Sequence, residues 1–153
     1  MECHAFTLSE EKIVNRLKTK VYVFDKYEDQ DLKNEKDFIA IWDTGATTTC
    51  ITKDVAAALN LVPVGTTMTS TAGGDKECNV YCVDIILPNK VAITNLSVYE
   101  VHLTNEDVLI GMDIIKHGDF SITNYGGTTK LSFRIPSSRH IDYVDEYEND
   151  HLK

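Results

Sequence analysis

Asp43-Thr44-Gly45-Ala46 stands directly after the apolar run Phe38-Ile39-Ala40-Ile41-Trp42. An apolar strand that delivers one carboxylate into a glycine-containing turn presents an acid at the edge of a core. Two such carboxylates about 3 Å apart cannot both ionise, so the pair holds a single proton. The ionised member can act as general base on a water, while the protonated member polarises a carbonyl and then protonates the leaving nitrogen. That is hydrolysis of a peptide bond without a covalent intermediate. The motif occurs once in the 153 residues. A second copy of the chain would have to supply the second acid.

Each residue of the motif has a physical task. Asp43 brings the carboxylate. Thr44 can bond neighbouring backbone and keep the loop rigid against charge repulsion. Gly45 permits close backbone approach and an N–H donated to the carboxylate. Ala46 is small enough to leave a cleft open.

The elements around the motif follow from periodicity and turn residues. Residues 13–24 are β-rich and partly alternating, which predicts an opening strand or hairpin arm. Residues 25–37 are polar without periodicity and predict a solvated loop. Residues 38–42 predict a short strand buried on both faces. Thr52 can cap a helix over 53–60, whose three alanines and Leu59 supply propensity and an apolar stripe. Strands are expected at 66–72 and 76–87 around a permissive tip, Gly73-Gly74-Asp75. Pro88-Asn89 reads as a turn and 91–101 as a strand. Val108-Leu109-Ile110-Gly111 is another apolar run, followed by a short helix over 112–117 closed by Gly118. A final hairpin is expected from 120–123 and 130–135 around Tyr125-Gly126-Gly127. Short strands at close spacing predict an all-β domain with one or two short helices, a single closed barrel-like sheet over residues 1–136. Residues 137–153 hold five acids against few bases, and a flexible acidic tail is expected there.

Bulk composition excludes several classes. Hydrophobic residues at 42% and charged ones at 25% mark a globular domain. The net charge of −9 argues against nucleic acid, whose phosphates need a basic face. No apolar run approaches a membrane span. The residues from Met1 to His4 show no signal-peptide pattern, so a cytoplasmic location is expected. Cys3, Cys50, Cys78 and Cys82 lack C-x-x-C spacing and have no histidine at a companion spacing. All four read as thiols, with no metal site and no cofactor.

The chain resembles the retropepsin-type aspartic proteases, single-domain enzymes that work as homodimers. The resemblance spans residues 21–136 and rests on three features in order. These are the apolar strand into Asp43-Thr44-Gly45-Ala46, the glycine-tipped hairpin Ala72-Gly73-Gly74, and Val108-Leu109-Ile110-Gly111 followed by Met112-Asp113-Ile114-Ile115. It implies a retropepsin-like barrel and an aspartic endopeptidase with Asp43, Thr44 and Gly45 as catalytic residues. It also implies that Ala46 and the flap residues Thr71, Ala72, Gly73 and Gly74 bind a protein or peptide substrate. The third segment would buttress the catalytic loop. Many viral members carry an acid after the D-T-G-A run, where this chain has Thr47. They also end in a strand of the dimer sheet, whereas this chain continues into its acidic tail.

Simpler readings stand beside these. Asp43-Thr44-Gly45 would serve as an ordinary turn, and Gly73-Gly74 as a plain hairpin tip. Asp113 suits the first turn of a helix better than a second catalytic acid. His117 suits a dipole contact at a helix end. A catalytically silent module that grips an extended peptide or mediates assembly is the principal alternative function. Nucleotide handling through the Thr-rich loop is weaker, because the chain has no G-x-x-x-x-G-K-[ST] run.

Overall fold

The computed structural model describes residues 4–26, 36–71 and 74–151. Among the described residues, ten strands and three short α-helices follow in the order β1 (His4–Glu10), β2 (Lys18–Asp25), β3 (Asp37–Trp42), β4 (Cys50–Ile51), α1 (Lys53–Ala58), β5 (Gly65–Thr71), β6 (Gly74–Ile86), β7 (Ala92–Glu100), β8 (Val108–Ile110), α2 (Met112–Ile115), β9 (Asp119–Thr123), β10 (Thr129–Ile135) and α3 (Tyr143–His151). A single 3₁₀ turn at Tyr125–Gly127 joins β9 to β10.

Seven strands form one sheet in the order β2-β3-β8-β4-β7-β6-β5, and a further β2–β6 pairing closes it into a ring. The long hairpin of β5 and β6 extends from that ring. Alternation explains the inner face. In β2, Thr19, Val21 and Val23 are buried while their neighbours are more exposed. Val108 and Ile110 of β8 lie beside Ala40 and Trp42 of β3 in parallel register, and all four are buried. Val83 and Ile85 of β6, Val98 of β7, and Val55 and Ile114 of the first two helices complete this core.

The second sheet has three strands in the order β1-β10-β9. Its register aligns Phe6, Phe133 and Phe120. All three rings pack on Trp42, with Phe120 stacked on it at 5.6 Å and 16° between planes. The indole N–H donates to Thr19 Oγ1 at 2.9 Å in the interior. The small sheet therefore lies under the end of the strand that leads to Asp43.

Several expectations need correction. The strand expected over 13–24 is β2, Lys18–Asp25, and it is not the opening one; residues 13–17 lie outside any strand. β1 went unread because only alternate residues of this half-exposed strand face inward, Phe6 and Leu8 among them. β3 is buried on one face only: Ala40 and Trp42 face the core, while Ile39 and Ile41 are only half-buried. The β5–β6 tip falls earlier than read, because Gly74 pairs with Thr71 and Asp75 with Ser70. Most of the loop read over 25–37 lies outside the described residues. The acidic tail contains α3, an assignment absent from the sequence reading; its apolar residues Tyr143, Val144 and Tyr147 are all exposed and pack on no core.

Helix α1 forms as its sequence requires. Thr52 caps it, with Oγ1 accepting from Val55 N–H at 3.3 Å, and Val55 and Ala56 turn inward. Asn60 at φ 52° ends it, while the Leu61 N–H reaches back to the Ala56 carbonyl.

Candidate active site

Asp43 follows β3 directly, and its backbone N–H donates to the Ile110 carbonyl at 3.0 Å. Asp43 as a residue is half-buried. Gly45 N–H donates to Asp43 Oδ1 at 2.8 Å. A Cβ built on Gly45 would stand 3.1 Å from that same oxygen, so a side chain there would crowd the carboxylate. The Ala46 N–H closes the turn on the Asp43 carbonyl at 3.3 Å. Thr44 and Gly45 are exposed and Ala46 is half-buried.

The loop is held from behind by β8 and α2. Thr49 is fully buried. Its N–H donates to Asp113 Oδ2 at 2.8 Å, and its hydroxyl donates to Asp113 Oδ1 at 2.6 Å. The same hydroxyl accepts from Gly111 N–H at 3.1 Å. Met112 N–H donates to the Ala46 carbonyl at 2.8 Å. Asp113 also takes the Ile114 N–H at 3.0 Å, the first-turn role expected of it. Gly111 is required by contact: a Cβ there would lie 2.8 Å from the Thr48 carbonyl carbon and 3.0 Å from the Ala46 oxygen. Thr49 was missed by sequence reasoning. A threonine among three gives no local signal, and its partner lies 64 residues away.

One face of the ring leads from the carboxylate toward the hairpin. Ile41 pairs with Leu109, Leu109 with Cys50, Cys50 with Tyr99, and Tyr99 with Val80. These residues share a face, and Cys78 lies on it two residues before Val80. Cys50 is nearly buried and the others are half-buried, so the face forms an apolar wall with an open side. Burial pushes the Cys50 thiol up to about 11, and the nearby Asp113, Cys78 and Asp43 reinforce this while the Tyr99 N–H opposes it. Burial likewise raises Cys78. Cys50, Cys78 and Cys82 are thiols, and Cys3 lies outside the described residues. With its thiol raised, Cys50 behaves as a small apolar group rather than a nucleophile. Among the described residues no cluster of three or more metal-ligating side chains occurs.

Of the substrate-binding expectations, Ala46 sits in the loop. Thr71 and Gly74 face each other at the end of the β5–β6 ladder. Gly74 adopts φ +103°, a conformation that requires glycine. Ala72 and Gly73 lie outside the described residues.

The fold, the buttressed Asp-Thr-Gly-Ala loop and the long β5–β6 hairpin define an aspartic-protease architecture of the retropepsin-like kind. The chain belongs to the family described as "gag-polyprotein putative aspartyl protease", whose model matches residues 32–117, more than half its length. No curated protein matches it in sequence. Among solved structures it resembles a retropepsin-like aspartic protease from Rickettsia conorii, with TM-score 0.54 and 12% identity over 88% of this chain and 96% of that one. It also resembles the EIAV protease complexed with the inhibitor HBY-793, with TM-score 0.50 and 20% identity over 67% of this chain and 86% of that one. At these identities the likeness is one of fold.

Proposed function

We propose that this chain is an aspartic endopeptidase that acts as a homodimer, with Asp43 of each copy forming the dyad. One observation carries the reading. Asp43 is held by the Gly45 N–H at the open end of a loop locked to β8 and α2, while the other acid of that lock, Asp113, is engaged with Thr49 behind it. A single chain therefore offers one free-facing catalytic carboxylate, and the chemistry needs two. The twofold mate provides the second at the distance where one proton is shared. One carboxylate then activates the water, and the other polarises the carbonyl and delivers a proton to the departing nitrogen.

Thr44, Gly45 and Ala46 border the acid on its exposed side. The wall of Leu109, Cys50, Tyr99, Val80 and Cys78 suits apolar side chains flanking the scissile bond. Residues 71–74 cover an extended peptide as a lid. No metal or cofactor enters the reaction. A cytoplasmic location accords with the thiols.

The test is mass-spectrometric profiling of a peptide library with wild type and Asp43→Asn. Wild type is expected to give discrete cleavage products that the variant does not. Identical profiles would overturn the assignment and leave a peptide-binding module.

A further inference from the structure

We propose that Lys76 selects substrates with an acidic side chain close to the scissile bond, so that the cleft takes an extended peptide whose glutamate or aspartate points at the β5–β6 hairpin. The inference deepens the endopeptidase reading above and rests on it.

The wall that begins at Ile41, two residues before Asp43, does not stop at Cys78. In β6 the side chains of Lys76, Cys78 and Val80 fall on one face by alternation. In β5, Thr69 stands opposite Lys76 and Thr67 opposite Cys78. Burial agrees with this assignment. Thr67 and Thr69 are half-buried, whereas Thr66, Met68 and Ser70 are exposed. The face is continuous in space as well as in register, because Cys78 and Asp43 both act on the Cys50 thiol. Lys76 therefore lies one strand repeat, about 7 Å, beyond Cys78 toward the hairpin tip.

The hairpin sorts its charges by face. Asp75 accepts from the Ser70 hydroxyl at 2.6 Å, and Glu77 accepts from the Thr66 hydroxyl at 2.9 Å. Both acids alternate with Lys76 and belong to the opposite face. Lys76 is exposed, and among the described residues no ion pair engages its ammonium. From Ile41 to Cys78 the wall carries no charge. The cleft face thus has its negative charge at the catalytic loop and its positive charge on the hairpin.

This polarity has a chemical consequence. A dyad that shares one proton keeps a net negative charge, which repels an acidic side chain unless a cation lies closer. The Lys76 ammonium, on its flexible stem, supplies that cation from the hairpin side. The Thr69 hydroxyl beside it is a second donor for the same carboxylate. The chain as a whole carries −9, so its long-range field disfavours acidic peptides. Selection then comes from short-range pairing at the hairpin, and salt weakens it.

A peptide library with Glu, Gln or Lys fixed at one position tests this in two ways. One is cleavage by the wild-type chain. The other is retention on immobilised Asp43→Asn, which reads binding without turnover. Wild type is expected to cleave Glu peptides with kcat/KM roughly two- to fivefold above their Gln counterparts at one position near the scissile bond, a ratio that falls as salt rises. Lys76→Gln should abolish the preference, and Lys76→Glu should turn it toward Lys peptides. That reversal separates a contact with substrate from a structural role, and Trp42 fluorescence checks that both variants fold. Equal cleavage of Glu and Gln peptides by wild type, or a Glu preference that survives in Lys76→Gln, would overturn the role of Lys76 and leave the endopeptidase intact. If wild type cleaves nothing, the endopeptidase fails and retention decides. Glu peptides held preferentially by Asp43→Asn, but not once Lys76→Gln is added, would uphold acid selection in a binding module. Equal retention, or none, would overturn it as well.

Discussion

The Asp43 carboxylate accepts from a backbone N–H two residues on, and this fixes its orientation before any substrate arrives. Removing its charge while keeping its shape separates chemistry from folding. Asp43→Asn is expected to lower turnover by at least about a thousandfold, with an unchanged melting temperature. Thr49 is the opposite case, since its contribution is positional. Thr49→Val removes the hydroxyl between Gly111 and Asp113 and leaves buried groups unpaired, a cost of about 2 kcal/mol or more. Thr49→Ser should restore most of it. The sole tryptophan, Trp42, is buried at 5% exposure among three phenylalanines. Its fluorescence in a urea titration reports both variants. Cys50 gives a further residue-scale expectation. With its thiol raised to about 11 by burial, it should resist iodoacetamide at pH 8 in the native chain and react once unfolded, as mass spectrometry of labelled peptides would show.

At the scale of elements, two ion clusters tie strands together and set the response to acid. Glu106, in the connection before β8, is almost fully buried and meets Arg16 and Lys18 at 2.7 Å each. The Lys18 hydrogen bond holds its carboxyl below the usual range, Arg16 adds to this, and burial opposes it. Asp119 at the start of β9 is also held well below that range, by the Ser137 hydroxyl first, then the Ser138 N–H and Arg134, against burial. A carboxylate with a lowered folded-state value stabilises the fold fully above its unfolded value of about 4. That stabilisation disappears as pH falls through the lower folded value. Acid unfolding followed by Trp42 fluorescence should therefore have a limb below pH 4, and Asp119→Asn should flatten it. Gly111 belongs to this scale as well, because α2 touches the catalytic loop through it. Gly111→Ala should cost about 1–3 kcal/mol through overpacking and lower kcat more than it raises KM.

At the scale of the whole molecule, the proposed homodimer makes each ring of strands one half of the cleft. Activity per chain should therefore rise with concentration through the dimer dissociation constant and then level off. Sedimentation at the same concentrations checks that the rise follows assembly.

Local signals made several elements legible. The apolar run before Asp43 specified a strand ending in a carboxylate. Thr52 marked the start of α1, and Val108 to Gly111 specified a strand stopped by a glycine that contact makes obligatory. These are effects of period, cap and turn, which act within a few residues. Pairings over long separations were not legible. Thr49 finds Asp113 across 64 residues, and Thr7 lies against Ser132 across 125. The alternation of β1 is too weak to identify a strand until β10 lies beside it. The sequence alone determined the acid, the turn that bears it and the all-β class, because local stereochemistry decides those. Only the tertiary structure decided what locks the turn and which strand edge stays open, because hydrogen-bond partners and sheet order depend on how distant segments share one core.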